Sequence, residues 1–258
     1  MSGLLGEIGT IEWSRRTNGI LGHGERARFI AAVVMKTARS MPRVLASRVA
    51  GPGGSGPDPS ELTPPDSAFA RDVIEACTHL DPMVVEHGYR SYLFGRALGI
   101  VKGLECNEEA LFAATMFHDY AFETMGELTD KCFTLAGAEV AAQALESSPL
   151  SETERHDVLD AITLHLNPVV WPEHGALQHL AHDGILLDVL GVRGWELDGA
   201  GVRRTFERHP RHGFSVRGEP LLREHGRRVR GCRASALFRA GFGPALRTGP
   251  WRAMDRPE

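Results

Sequence analysis

The sequence predicts an all-α protein. Apolar residues recur at helical spacing in several segments, most of those segments open on a capping residue, and no stretch alternates convincingly with a period of two. A length of 258 residues with 42% hydrophobic and 24% charged side chains is an ordinary globular composition. One large domain with an appendage fits that length best.

The first element runs from Gly24 to Arg48, where Phe29, Val33, Val34, Ala38, Met41, Val44 and Leu45 fall on one helical stripe, and Pro42 is expected to kink or end it. The run Gly51-Pro-Gly-Gly-Ser-Gly-Pro-Asp-Pro59 reads as a flexible linker, so residues 1–60 are expected to be a helical appendage separable from the main domain. After it, Pro64-Pro65-Asp66-Ser67 caps a helix reaching about His79. Asp81-Pro82 opens another that carries Val85, Tyr89, Tyr92, Leu93, Ala97 and Leu98. Asn107 caps a very apolar helix that ends at His118, and Ser151-Glu-Thr-Glu154 is a capping box opening a helix to about Leu166. Gly175 to Leu190 reads as one more. Residues 61–215 form the expected catalytic domain and 216–258 an Arg-rich helical extension.

Charge is unevenly placed. The net value is −4, yet residues 200–258 hold 14 Arg against 5 acidic residues, leaving an acidic body. The tail shows neither a clean basic helix nor interleaved aromatics, so it is expected to neutralise the body in cis or to be solvated, and no nucleic-acid partner is expected. The longest apolar run, Phe29 to Met35, is followed by Lys36 and Arg39 and is too short to span a bilayer. No secretion signal is visible, which makes the cytoplasm the default expectation. Four scattered cysteines without a CxxC pair read as reduced structural thiols. Glycine-loop, nucleophile-elbow and HExxH signatures are absent.

Twelve histidines make a metal site worth seeking. Three His-Asp dipeptides occur, and context separates them. His118-Asp119 ends the apolar helix Leu111-Phe-Ala-Ala-Thr-Met-Phe117, which would bury both side chains, and buried polar groups need partners or a metal. His156-Asp157 sits among charges, whereas His182-Asp183 lies on a mixed face. His87 lies on a packed helix one turn from Arg90, a pairing that singles it out as a candidate ligand.

The order His87, then His118-Asp119, then Asp188 in Leu186-Leu-Asp-Val-Leu-Gly191 resembles the His, His-Asp, Asp signature of the HD-domain superfamily. Within it the chain is most similar to the cyanamide-hydratase-like branch, through Pro64-Pro65-Asp66-Ser67, His87-xx-Arg90-Ser-Tyr-xx-Gly95, Phe133-xxx-Gly137-Ala138, Ala161-Ile-xx-His165, Leu187-Asp-Val-x-Gly191 and His209-Pro-Arg-x-Gly213-Phe214. Tyr120-Ala121-Phe122 stands where such families commonly have a small or aliphatic pair.

The resemblance implies an HD-domain helical bundle in which His87, His118, Asp119 and Asp188 hold a divalent ion. Imidazole with carboxylate suits zinc or iron, or manganese, better than magnesium. It implies metal-activated water acting on a small carbon–nitrogen substrate, with Asp119, His165, His174 and Arg90 as catalytic candidates and Glu123 a weaker general-base candidate. His165 and His174 would orient substrate or shuttle a proton in a one-metal site, or ligate a second ion in a di-iron oxygenase. A nucleotide or phosphoester hydrolase is the further alternative. The expected partner is a small molecule; no membrane partner is expected, and homo-oligomerisation stays open.

Overall fold

A computed structural model describes residues 4–50 and 54–255. Among these residues there are twelve α-helices and no strand, only two isolated bridges, Ile20 with Cys232 and Gly54 with Asp198. None of the helices among the described residues is long and apolar enough to cross a membrane.

Four helices form the centre. These are α4 (Pro82–Lys102), α5 (Glu108–Phe117), α7 (Glu152–Leu164) and α8 (Ala176–Leu190), and each packs on at least two of the others. Their starts follow the sequence: Asp81 caps α4, Asn107 caps α5 through the amides of Glu109 and Ala110, and Ser151 with Glu154 forms the reciprocal box on α7. Two glycines set how closely they approach. A Cβ on Gly184 of α8 would overlap the Ser91 carbonyl and the Gly95 backbone of α4. A Cβ on Gly88 of α4 would lie 3.0 Å from the Thr115 carbonyl of α5. Backbone-to-backbone contact at these crossings brings short side chains of different helices within reach of one another.

Around this centre lie α3 (Ala68–Cys77) on α5, α6 (Phe133–Leu145) on α7, and α9 (Gly199–Arg208) on the turn Pro59–Glu61. The helices α10 (Phe214–Arg228), α11 (Arg233–Arg239) and α12 (Phe242–Arg247) cluster together, with α11 reaching α2 (His23–Ala50) and α12 reaching α8. The sequence pattern had left α1 (Ile11–Thr17), α6 and α9 to α12 without boundaries of their own.

The N-terminal segment differs from the separable appendage that the linker predicts. Ile8, Ile11, Trp13 and Phe29 are buried in the same core as Phe112 and Ile162. The α1 start is tied to α7 by the Ile11 amide donating to Asp160 (2.7 Å), and the Ile8 carbonyl accepts from Asn167 (2.7 Å). Linker composition tells little about the chain before it, whose apolar residues have no other surface to bury against. The linker itself is docked where described: Gly54 N–H donates to the Leu197 carbonyl (2.8 Å) and Asp198 N–H to that of Pro57 (3.1 Å). Residues 51–53 of that linker lie outside the described residues. Nor does Pro42 end its helix: α2 continues through it to Ala50. The cost is one backbone hydrogen bond on a helix whose outer face is solvated.

The Arg-rich tail is spent largely inside the molecule. Arg217 pairs with Asp81, Arg223 and Arg247 with Glu219, and Arg228 with Glu224. Arg233 is fully buried, donating to Asn167 (2.9 Å) and Thr134 (3.0 Å) beneath the Trp13 ring.

Candidate metal centre

The site begins with two helix ends that repeat one device. His118 is the C-cap of α5 and His165 the C-cap of α7. Each folds its ring back over the last turn so that Nδ1 donates to the carbonyl three residues earlier, Thr115 and Ile162 respectively, both at 2.7 Å. Such last-turn carbonyls have no helical partner, and a carbonyl only accepts, so Nδ1 carries the proton and each Nε2 presents a bare lone pair. Both helix ends also point the negative pole of their dipoles at the same space, which favours a cation there.

His87 supplies a third imidazole, from the middle of α4. Its Nδ1 donates to Asp188 Oδ2 on α8 (2.5 Å), which again leaves Nε2 bare. The three Nε2 atoms surround the Asp119 carboxylate: His87 at 3.8 Å and His118 at 3.5 Å from Oδ2, and His165 at 3.6 Å from Oδ1. All four side chains are buried. His87, His118 and Asp119 bring their ligand atoms close enough together to hold a metal ion.

Burial pushes the His118 ring down to about 4 and carries His165 well below the ordinary imidazole value, in each case with a neighbouring imidazole adding to the effect. Both are neutral bases at neutral pH. His118 Nε2 is buried without a hydrogen-bond partner among the described residues, an expense a folded protein rarely tolerates unless the lone pair is reserved for a ligand.

Asp188 does not join this group. Its oxygens accept from Arg90 Nε (2.8 Å), Arg90 Nη2 (3.0 Å), Arg211 Nη1 (3.0 Å) and His87 Nδ1. Burial alone would raise its pKa, but the two guanidiniums and His87 hold the carboxyl far below the ordinary range. It faces the ring nitrogen of His87 opposite the one that points into the site, and so orients that ring instead of sharing its ligand role. Sequence order alone cannot separate these two functions, because both require a carboxylate one packed helix away.

The other candidates are placed as follows. All three nitrogens of the buried Arg90 are engaged, with Asp188 and with the carbonyls of His209 (3.0 Å) and Pro210 (2.7 Å), so its role is to hold Asp188. His174 sits on the short turn Pro172–His174, hydrogen-bonded to the Trp171 backbone, and faces a different cavity. Glu123 is exposed and accepts from the Asp81 amide at the start of α4. Arg211 was the missed residue: it lies inside the quoted motif His209-Pro-Arg-x-Gly213-Phe214, but nothing in the sequence reveals its partner.

His87, His118, Asp119 and His165 sit on the wall of a cavity of about 360 Å3 whose remaining surface is mainly apolar, including Phe122, Phe133, Ile185, Phe214, Leu222 and Leu237. Part of that wall comes from Val33 of α2 and Leu246 of α12, residues of the segments flanking the expected domain. Lys36 is the one lysine or arginine among its described lining residues. Compared with known proteins, the chain matches no family model and no curated protein sequence.

Proposed function

We propose that the protein is a metal-dependent hydrolase or hydratase of the HD type, acting on a carbon–nitrogen group, nitrile-, amide- or imine-like, carried by an apolar body. The observation that carries this reading is the set of three imidazoles with their Nδ1 protons locked away, their lone pairs turned on one buried carboxylate, and His118 Nε2 left with no other use.

The donor set fits a transition ion. His87, His118, His165 and Asp119 would hold it, a mixture suited to zinc or iron rather than to magnesium. When bound, such an ion lowers the pKa of a water toward neutrality and makes it a nucleophile. The chain does the rest. Phe122, Phe133, Phe214 and Ile185 exclude bulk water and hold an apolar substrate with its polar end toward Asp119. Asp119 Oδ2 faces His87 and His118 and Oδ1 faces His165, so the carboxylate lies at the centre of the group and would accept the proton released as water adds. Asp188 and the two arginines on it fix the His87 ring throughout.

Two features disfavour the alternatives. A phosphoester centre would want cations beside the ligands, and the arginines near them are already engaged with Asp188. A second iron would need His174, which lies on the other cavity. The test is metal content of the purified protein by mass spectrometry, followed by hydrolysis of apolar nitriles and amides against phenyl phosphate esters. One ion per chain is expected, lost from His118→Ala and His165→Ala and kept by His174→Ala. Two ions per chain, or full occupancy in His118→Ala, would overturn the reading.

A further inference from the structure

A second cavity, of about 540 Å3, opens between α2, the loop before α8 and the loop after it. Lys36, Ser40 and Val192 line both cavities, so the two are neighbours separated by those side chains. Its chemistry is different. Lys36, Arg39, Arg43, Lys102 and Arg193 line it, against only Asp183 and Glu196 among the acids.

Those two acids are already occupied. Asp183 accepts from Lys102 (2.9 Å) and Arg193 (2.5 Å) and stands 3.4 Å from His179, while Glu196 is held by Arg193. Lys36 has no ion pair or hydrogen bond among the described residues, although its stem is half-buried and its ammonium sits near both Lys102 and Arg193. Burial lowers its pKa; Asp183 is the strongest charge acting on it and opposes that fall, while Arg193 and Lys102 add to it. The carboxylate that acts most strongly on this desolvated ammonium, Asp183, is already shared between Lys102 and Arg193, so the ammonium's charge is under-compensated and an anion from outside would complete it. Beside it, Val170 and the half-buried rings of Trp171 and Trp195 offer an apolar floor.

From this juxtaposition we propose that the second cavity is a binding site for a small organic anion, a carboxylate or phosphate on an aromatic or aliphatic body, with the anionic group on Lys36 and the body against Trp171 and Trp195. Phosphate and carboxylate share the features that matter: negative charge and several acceptor oxygens for Lys36 and the exposed faces of its cationic neighbours. The site stands independently of the metal centre, since none of its anion-binding groups belongs to that group of four.

The experiment is titration of the full chain with phenyl phosphate, benzoate, inorganic phosphate and neutral benzamide, read by calorimetry and by tryptophan fluorescence. Phenyl phosphate or benzoate should bind saturably, at least tenfold more tightly than benzamide, because a charge-assisted contact contributes about that much. Lys36→Met and Lys36→Gln should each remove that preference while melting like the wild type, whereas His118→Ala should retain it. Wild-type protein that held no metal yet kept the preference would leave this site standing even as the metal reading fell. Equal binding of benzamide and benzoate would overturn the proposal, as would unchanged preference in both Lys36 variants. Inorganic phosphate binding as tightly as phenyl phosphate would remove the role given to the two tryptophans.

Discussion

Replacing Asp188 with Asn is the perturbation that most directly separates orientation from ligation. In the native site one buried carboxylate receives four hydrogen bonds, three of them from the guanidiniums of Arg90 and Arg211, which are themselves buried. Asparagine keeps the shape but removes the charge between two cations, and its amide NH2 must face a donor. Removing one partner of a buried ion pair costs about 3–5 kcal/mol, and two stranded cations place this case at the upper end. For a chain of this size each kcal/mol moves Tm by about 2–4 °C, so a fall of about 10 °C or more is expected by calorimetry. The same change frees the His87 ring to choose its tautomer, which weakens metal affinity by about 10- to 100-fold. Zinc titration should therefore still reach one equivalent at saturation, at higher free metal. A melting temperature within about 2 °C of wild type would refute the energetic argument. Complete loss of binding at saturating zinc would make Asp188 a ligand and refute its role as an orienting group.

Further outcomes follow from the packing and the charges. Gly184→Ala should destabilise the fold by about 1–3 kcal/mol in denaturant titration, because the added Cβ meets α4 backbone that cannot yield without separating α8 from α4. A chain starting near Glu61 should fail to fold cooperatively by circular dichroism, since it removes Trp13 and Phe29 from the core; Trp13→Ala alone should cost about 3–5 kcal/mol. Asp183 governs an acid transition. Burial works to raise its pKa, but the neighbouring His182 and His179 rings and the ion pairs with Lys102 and Arg193 hold it well below the ordinary 3.8. A depressed folded-state value contributes stability that is present above the unfolded value and lost as pH falls beneath it. Wild type should therefore lose stability more steeply than Asp183→Asn below about pH 4, read as urea midpoints across pH; parallel profiles would contradict the assignment.

Much of the centre was legible because its signals are local. Asp81, Asn107 and the Ser151–Glu154 pair announce their helices through backbone amides two or three residues away, and the apolar run before His118 announces that His118 and Asp119 are buried. What stayed hidden depends on contacts distant in sequence. The choice between Asp188 and His165 around Asp119 turns on which ring nitrogen of His87 faces which helix. A dipeptide count carries no information about that. The α10 to α12 region was obscured for another reason: its arginines interrupt the apolar stripe, yet Arg211 and Arg233 are interior residues whose partners lie on α8 and in the Asn167 turn. The docking of residues 1–60 is not legible in the linker, because a Gly/Pro-rich composition carries no information on what the chain before it packs against.

The wall of the first cavity has an order in time as well as in space. By the time the chain has been made through α8, His87, His118, Asp119, His165 and Asp188 are all present in it. The lid over them is not. Phe214, Leu222, Leu237 and Leu246 belong to residues synthesised afterwards, and Arg211, the second clamp on Asp188, arrives with them. The stretch ending at Gly191 thus carries the whole group but not the wall that covers it, and of the two arginines on Asp188 it contains only Arg90. Closure of the cavity over that group, and the second restraint on Asp188, therefore depend on residues that follow the helices positioning the group itself.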